Sequence, residues 1–271
     1  IYTNESSDRA FEEEVMLSGF ANANVKVEGS GVNYDQSQET YTARYTHDTI
    51  ALAFAITEEA IEDNLYDRIS SRYTKALARS MSNAKQVKAA APLNNGLPTA
   101  DGFDSGDGVS LFNTAHTTVS GTNVKNTLTT QADLNETSLE QALIDIAAFT
   151  DERGLRVAAK GVKMIIPSAN QFSAERLLKS QGRTGTADND INAVASMGMV
   201  PQGYRVNNFL TDSDSWYIIT DCPNGMKMFT RAPLTTAMEG DFDTGNVRYK
   251  ARERYSFGVS DYRGIFGCEG A

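Results

Sequence analysis

The chain has 271 residues, 40% of them hydrophobic, enough for one large domain or two modest ones with a buried core. Its 25 Lys and Arg stand against 35 Asp and Glu, a formal charge of −10, which argues against tight general DNA binding because counterion release needs a basic face. No apolar run reaches the roughly 18 to 20 residues that cross a bilayer, and two cysteines, Cys222 and Cys268, form neither a disulfide framework nor a zinc site and read as reduced thiols.

Residue 1 is Ile, which leaves open a processed or trimmed chain, and no secretory signal follows it. Residues 1 to 21 are polar and mixed, with one amphipathic turn around Phe11, Val15, Met16 and Phe20, and read as an arm. Residues 22 to 56 predict a long β-hairpin. Its outgoing strand holds Val25 and Val27, and Gly29-Ser30-Gly31 form the tip. The return strand places Tyr41, Ala43 and Tyr45 on one face, and after Asp48 the apolar face changes parity to Ile50, Leu52, Phe54 and Ile56. A ribbon with so thin a core is marginal alone and is expected to lean on another subunit.

Residues 57 to 91 predict one long helix, capped by Thr57 and stopped by Pro92, with Ile61, Leu65, Ile69, Tyr73, Leu77, Met81 and Ala84 on one face. Its charges are segregated. Glu58, Glu59, Glu62, Asp63 and Asp67 come first, and the bases from Arg68 and Arg72 onward follow. Residues 93 to 135, rich in Gly, Thr, Asn and Asp, predict loops and short strands. From 137 to 232 helix and strand alternate. Thr137 with Glu140 reads as a capping box, Val162 to Ile166 as a buried strand, and Ser168 with Gln171 as a second box. Residues 182 to 199 predict a polar loop, and strands are expected around 204–209, 216–220 and 226–230. From 244 to 266 long strands return, with Arg248, Lys250, Arg252 and Arg254 on one face and Val247, Tyr249 and Ala251 on the other.

No metalloprotease, Walker, nucleophile-elbow or EF-hand motif is present. Asp101, Asp104 and Asp107 match no calcium loop. His116 with Asp107 and Ser110 supports a rival reading as a hydrolase, but neighbouring positions in sequence say nothing about geometry. No cofactor and no membrane partner are expected. The basic strand is read as a face for subunit contacts or ion pairs, with direct DNA contact the least favoured use.

The order of elements, together with the segments Ile56 to Tyr66, Leu111 to His116 and Thr244 to Gly264, resembles the major capsid proteins of tailed phages, closest to Mu-type head subunits. The resemblance implies a mixed α+β Hong Kong 97-like capsid fold: an N-terminal arm over 1–21, an extended loop over 22–56, a peripheral domain from 57–136 and 233–271 with a spine helix, and an axial domain over 137–232. It implies a shell of hexamers and pentamers around double-stranded DNA, portal and scaffolding partners, and location in the virion after assembly in host cytoplasm. The chain departs from the pattern in its short arm and lack of an evident scaffolding segment. An encapsulin-like compartment is the rival within this fold. Contacts between subunits are expected at Lys26, Glu28, Tyr34, Tyr41, Arg44 and Tyr45 on the hairpin, Arg68 and Arg72 on the helix, Arg183, Asp188 and Asp190 in the polar loop, and Arg248, Arg252 and Arg254 on the basic strand. In some capsid lineages a hairpin lysine bonds covalently to a neighbour's asparagine, a chemistry for which Lys26 is the only position to consider.

Overall fold

The protein is described by a computed structural model covering residues 1–63, 66–97, 102–182 and 190–271, with the side chains of 66–70 outside the description. Strand β1 (Thr3–Ser6) lies parallel to the start of β10 (Met226–Gly240). Strand β2 (Phe11–Leu17) pairs antiparallel with β3 (Glu39–Thr46). The hairpin expected over 22–56 is therefore built differently: its outgoing strand is the segment read as an arm, and Val25 and Val27 lie in the connection. The predicted parity change coincides with the end of this two-stranded sheet. After His47 the chain enters β4 (Asp48–Ile56), which leaves β2 and pairs with β11 (Val247–Val259).

The single helix expected from 57 to 91 is two, α1 (Glu58–Glu62) and α2 (Tyr66–Asn95). Pro92 does not stop the second one. Proline removes one N–H from the helix ladder, but the last turn is held from outside: Tyr217 donates to the Leu93 carbonyl at 3.1 Å, and Asn94 exchanges hydrogen bonds with Phe209 and Thr211 at 3.0 and 3.1 Å. At about 1.5 Å per residue α2 spans about 45 Å. It packs through Leu77 and Met81 against Ala251, Ile50 and Phe54 on one face of the sheet ordered β1–β10–β11–β4. Two register shifts interrupt β10 against β11, between Thr230 and Ala232 and between Ala232 and Thr235.

Between the end of α2 and residue 135 the described residues form loops and the short pair β5 (His116–Thr117) and β6 (Asn123–Val124), as the composition predicts. Helix α3 (Glu136–Ala147) is capped two residues before the expected cap, Thr137. Asn135 is its cap, accepting from Ser138 N at 2.9 Å while the Ser138 hydroxyl accepts from Asn135 N at 3.0 Å. Asn is a stronger cap than Thr, and the earlier start leaves Thr137 inside the first turn. The second sheet runs β12 (Ile265–Cys268), β9 (Trp216–Thr220), β7 (Gly161–Ile166), β8 (Tyr204–Val206). A short 3₁₀ turn, 168–170, precedes α4 (Gln171–Lys179), and no side chain caps it, so the expected Ser168 box is absent. Helix α5 (Ala193–Met197), capped by Asn192, occupies part of the expected polar loop. The closing Ile265–Cys268, expected with the long strands, belongs instead to the second sheet beside β9. The main core lies here, between Leu139, Ile146, Met164, Ile166, Trp216 and Phe266, each fully or almost fully buried.

The two sheets meet where β11 ends and β12 begins. Arg263, 2% exposed, bonds Glu152 at 2.7 Å, Asp261 at 3.3 Å and the Thr150 carbonyl at 2.7 Å. Its own carbonyl accepts from Thr220 at 2.6 Å. Burial works against the Arg263 charge, but Asp261 and Glu152 outweigh it and hold the guanidinium protonated above its ordinary range. Beside it Gly225 and Gly264 touch backbone to backbone, where a Cβ on Gly225 would lie 2.8 Å from Gly264 Cα. Replacing Arg263 by Ala leaves Glu152, 3% exposed, as a buried unpaired charge. The expected loss is about 3–5 kcal/mol, with Arg263→Lys restoring little because it lacks the planar fork. Chemical denaturation of the unassembled protein measures both.

Candidate assembly interface

Strand β2 of the β2–β3 ribbon reverses the usual alternation. Phe11, Val15 and Leu17 point outward and are 38%, 47% and 57% exposed. Two of the acids between them point in: Glu12 accepts from Ser7 at 2.6 Å, and Glu14 meets the Lys227 ammonium and the Ser260 hydroxyl. The opposite strand completes the inner face with Ala43 and Tyr45, packed on Phe229. Tyr45 is 3% exposed, its ring 4.8 Å from Phe229 and its hydroxyl bonded to Ser260. Tyr41 turns toward Tyr262 and lies against Gly106. Tyr45 is thus packed inside its own chain, and Tyr41 is half-buried against it. Arg44 stays outside, over the Phe11 ring at 4.0 Å and 3.8 Å from Glu13.

Residues 18–38 connect the two strands. The connection is closed at its base by Ser18 N donating to Gln38 O at 2.8 Å and Ala21 N donating to Asp35 at 2.7 Å. Arg153 ties it to the body through Asp35 at 3.1 Å and the Gln36 carbonyl at 2.8 Å. The backbone amides of Ala21 and Gln36 hold the Asp35 carboxyl below its ordinary range, with Arg153 adding to them. Beyond that base lie Val25, 96% exposed, Tyr34, 94% exposed, and the exposed Lys26 and Glu28. At the tip Gly29 takes φ +80°, as the turn from Val27 to Ser30 requires.

The basic strand forms a ladder on the sheet face opposite α2. Arg248, Lys250, Arg252 and Arg254 pair across β4 with Ala55, Ala53, Ala51 and Thr49, so the row of long cations borders a row of small side chains. Arg248 is bonded to Asp241. Lys250 and Arg252 are exposed, and the Arg254 Nε is buried with no hydrogen-bond partner among the described residues. Arg72 and Asp190 are exposed, and the side chains of Arg68, Arg183 and Asp188 lie outside the described residues. Sequence reasoning missed Phe11, Val15 and Leu17, whose spacing of four and two fits a helical turn as readily as a strand.

His116 is fully buried, stacked on Tyr262 with ring centroids 3.9 Å apart. Its Nδ1 is 2.6 Å from Asp107 and its Nε2 3.1 Å from Asn126. Burial opposes ionisation of Asp107, but hydrogen bonds from His116 and Ser105 outweigh it and lower the carboxyl pKa. The Asp–His pair of the hydrolase reading does exist. Yet the nitrogen that would activate Ser110 faces Asn126 instead, and Ser110 donates to the Phe112 carbonyl at 3.3 Å. The pair binds the loop to the closing turn. Among the described residues no cluster of His, Cys, Asp and Glu could hold a metal, and no helix is long and apolar enough to cross a membrane.

A sequence profile described as phage capsid protein matches residues 40–267, most of the chain. The chain belongs to this phage capsid protein family. Solved capsids share its fold at low identity. The capsid of Myoviridae phage XM1 superposes with TM-score 0.59 at 13% identity over 100% of this chain and 89% of that one. The capsid of cyanophage P-SCSP1u gives 0.61 at 12% over 100% and 86%. The virus-like particle from Pyrococcus furiosus gives 0.55 at 12% over 99% and 90%. No curated protein matches. The capsid protein therefore has the Hong Kong 97-like fold and a structural role in the virion rather than an enzymatic one; the family description does not narrow it to Mu-type heads.

His47, 6% exposed, joins three parts of the capsid protein at the hairpin base. Ser7 gives its proton to Glu12 and so accepts from His47 Nε2 at 2.9 Å, while Ser256 lies 3.0 Å from Nδ1 and donates to it. Burial lowers the His47 pKa from 6.5; Glu12 opposes this, and Arg254 and Arg231 reinforce it. The folded state thus prefers the neutral ring. Its contribution to stability is present above the unfolded value and is lost as pH falls below 6.5. Melting temperature should drop on acidification from about pH 7.5 to about pH 5, and His47→Gln should flatten that dependence, as calorimetry of the unassembled protein would register.

Proposed function

We propose that this chain is the major shell subunit of a tailed-phage head, closing as hexamers and pentamers into an icosahedral shell around double-stranded DNA. The observation that carries this reading is the reversed ribbon, with acids inside and Phe11, Val15 and Leu17 outside, continued by Val25 and Tyr34 in the connection. Full burial of such a side chain stabilises by about 1.5–3 kcal/mol, and among the described residues no part of the core covers these. A neighbouring copy supplies the missing cover, and the resulting interface should exceed about 1,000 Å².

In this reading the arm is 1–21 and the extended loop 22–56, anchored by β2 and β3. The peripheral domain comprises 57–136 with 233–271 and is built on the β1–β10–β11–β4 sheet. The axial domain comprises 137–232, with Ile265–Cys268 added to its sheet. The 182–199 segment sits near the five- and six-fold axes. Lys26, Glu28, Tyr34 and Arg44 contact the neighbour from the hairpin, Arg68 and Arg72 from α2, Arg183, Asp188 and Asp190 from the axial segment, and Arg248, Arg252 and Arg254 from the ladder. Portal and scaffolding proteins complete the head during assembly in host cytoplasm. DNA is held without sequence-specific contacts, consistent with the net charge of −10.

A second reading, a compartment around protein cargo, draws on the likeness to the Pyrococcus furiosus virus-like particle. Particles that purify with long DNA support the head, and particles that purify with a cargo protein support the compartment. The expressed chain should form rings or shells in negative-stain micrographs. Changing Phe11, Val15 and Leu17 together to Ser should leave folded but unassembled protein. A wild-type chain that stays single at high concentration would refute the shell.

A further inference from the structure

Two oppositely charged patches on this protein find no ion-pair partner among the described residues of their own chain. The first is the middle of the basic ladder. Arg248 is taken by Asp241, but Lys250 and Arg252 are exposed, form no ion pair among the described residues, and stand beside the flat floor of Ala51 and Ala53. The second is α1. Glu58, Glu59, Glu62 and Asp63 are all exposed, and none has an ion-pair partner among the described residues. Several other surface carboxylates are used by nearby bases. Glu13 meets Arg44, Asp35 meets Arg153, Asp48 meets Lys88 and Glu175 meets Lys179.

The fold keeps the two patches apart within one copy. Ile56, the last residue of β4, pairs with Val247, and a Cβ on Gly245 would strike the Glu58 carboxylate, so α1 lies at the far end of the β10–β11 ribbon. Arg252 pairs with Ala51, five residues back along β4, about 17 Å from Ile56 at 3.4 Å per residue. The other end of α2 is bound to the second sheet through Leu93 and Asn94. The acidic helix therefore lies at the end of α2 away from the second sheet, exposed where a second copy can meet it.

We propose that the acidic α1 of one subunit docks on the Lys250–Arg252 face of a second copy, as a contact between neighbouring subunits of the shell. This rests on the shell reading and adds the segment that fits the ladder. The small side chains of Ala51 and Ala53 let a helix turn approach the sheet closely, and opposed charge fixes its register. Packaged DNA is the less suitable occupant. Two free cations engage few phosphates, and Glu239, Asp241 and Asp243 at the ribbon tip repel a backbone lying along the ladder.

A charge-swap experiment on the full chain tests the pairing. Lys250→Glu with Arg252→Glu, and separately Glu59→Lys with Glu62→Lys, should each lower the yield of shells about tenfold at matched concentration while the unassembled proteins melt like wild type. Combining all four changes should restore the yield. The neutral pair Lys250→Gln with Arg252→Gln, which should fold even where a reversal does not, should weaken the salt dependence of assembly. A combined variant no better than the worse parent, or a ladder variant that assembles normally, overturns the pairing while leaving the shell reading intact. Normal shells that hold less DNA overturn it in favour of DNA. A wild-type chain that forms no shells overturns both.

Discussion

The structure depends on a desolvated ion network at the crossing between its two sheets. One continuous segment leaves the long ribbon at Val259 and re-enters the second sheet at Ile265, and Arg263 sits in the turn between. Its guanidinium gathers Glu152, Asp261 and the Thr150 carbonyl, all from the second unit or the turn itself. Removing an ion from water costs several kcal/mol, so such a network is a poor source of net stability. What it supplies is direction. A fork with fixed geometry accepts one arrangement of its acids, and packing around the Gly225–Gly264 contact leaves no room for another. Asn126 extends the same control, its amide bonding the carbonyls of Leu111 and Tyr262 at 2.8 and 3.1 Å while His116 stacks on the Tyr262 ring. The angle between ribbon and second sheet is thereby set by polar groups with exact demands on position, not by apolar contact alone.

With that angle set, the reversed ribbon acquires its meaning. A strand pair on a protein surface ordinarily turns apolar residues to the core and charges to water. Here Glu14 is drawn inward by Lys227, which is 6% exposed and also bonds Glu5 at 3.1 Å. Burial lowers the Lys227 affinity for a proton, but the two glutamates outweigh it and keep the ammonium charged. The inner acids hold the hairpin base to the body, and the apolar side chains are left for an outside surface. On the proposed shell reading this division lets the same residues stay soluble in a free subunit and be covered by a neighbouring copy.

Several of these features are legible from residues alone. The parity change between Tyr45 and Ile50 marks the point where the chain leaves one sheet for another, since a strand cannot move its apolar face without a break. The alternation of Arg248, Lys250 and Arg252 with Tyr249 and Ala251 predicts a one-sided ladder, and α2 covers the apolar side. The partner strand of the hairpin was not legible. Phe11, Val15, Met16 and Phe20 fall at helical intervals, and the acids between them give no sign that they face inward until Lys227, more than two hundred residues away, is placed beside them. Nor could the roles of Tyr41 and Tyr45 be read. An aromatic residue suits an interface and a core equally, and only the position of Phe229 and Gly106 decides between them.

The two register shifts in β10 carry a further consequence. Each adds one residue to β10 relative to β11, so the first reverses which way side chains face and the second restores it. Losing a single residue between Thr230 and Thr235 would exchange the faces of everything beyond, turning Met238 to the side that now carries Glu239. Insertions and deletions in this stretch should therefore survive in homologous lineages in pairs or at the tip, where the count of residues has no bearing on which side of the ribbon meets the outside world.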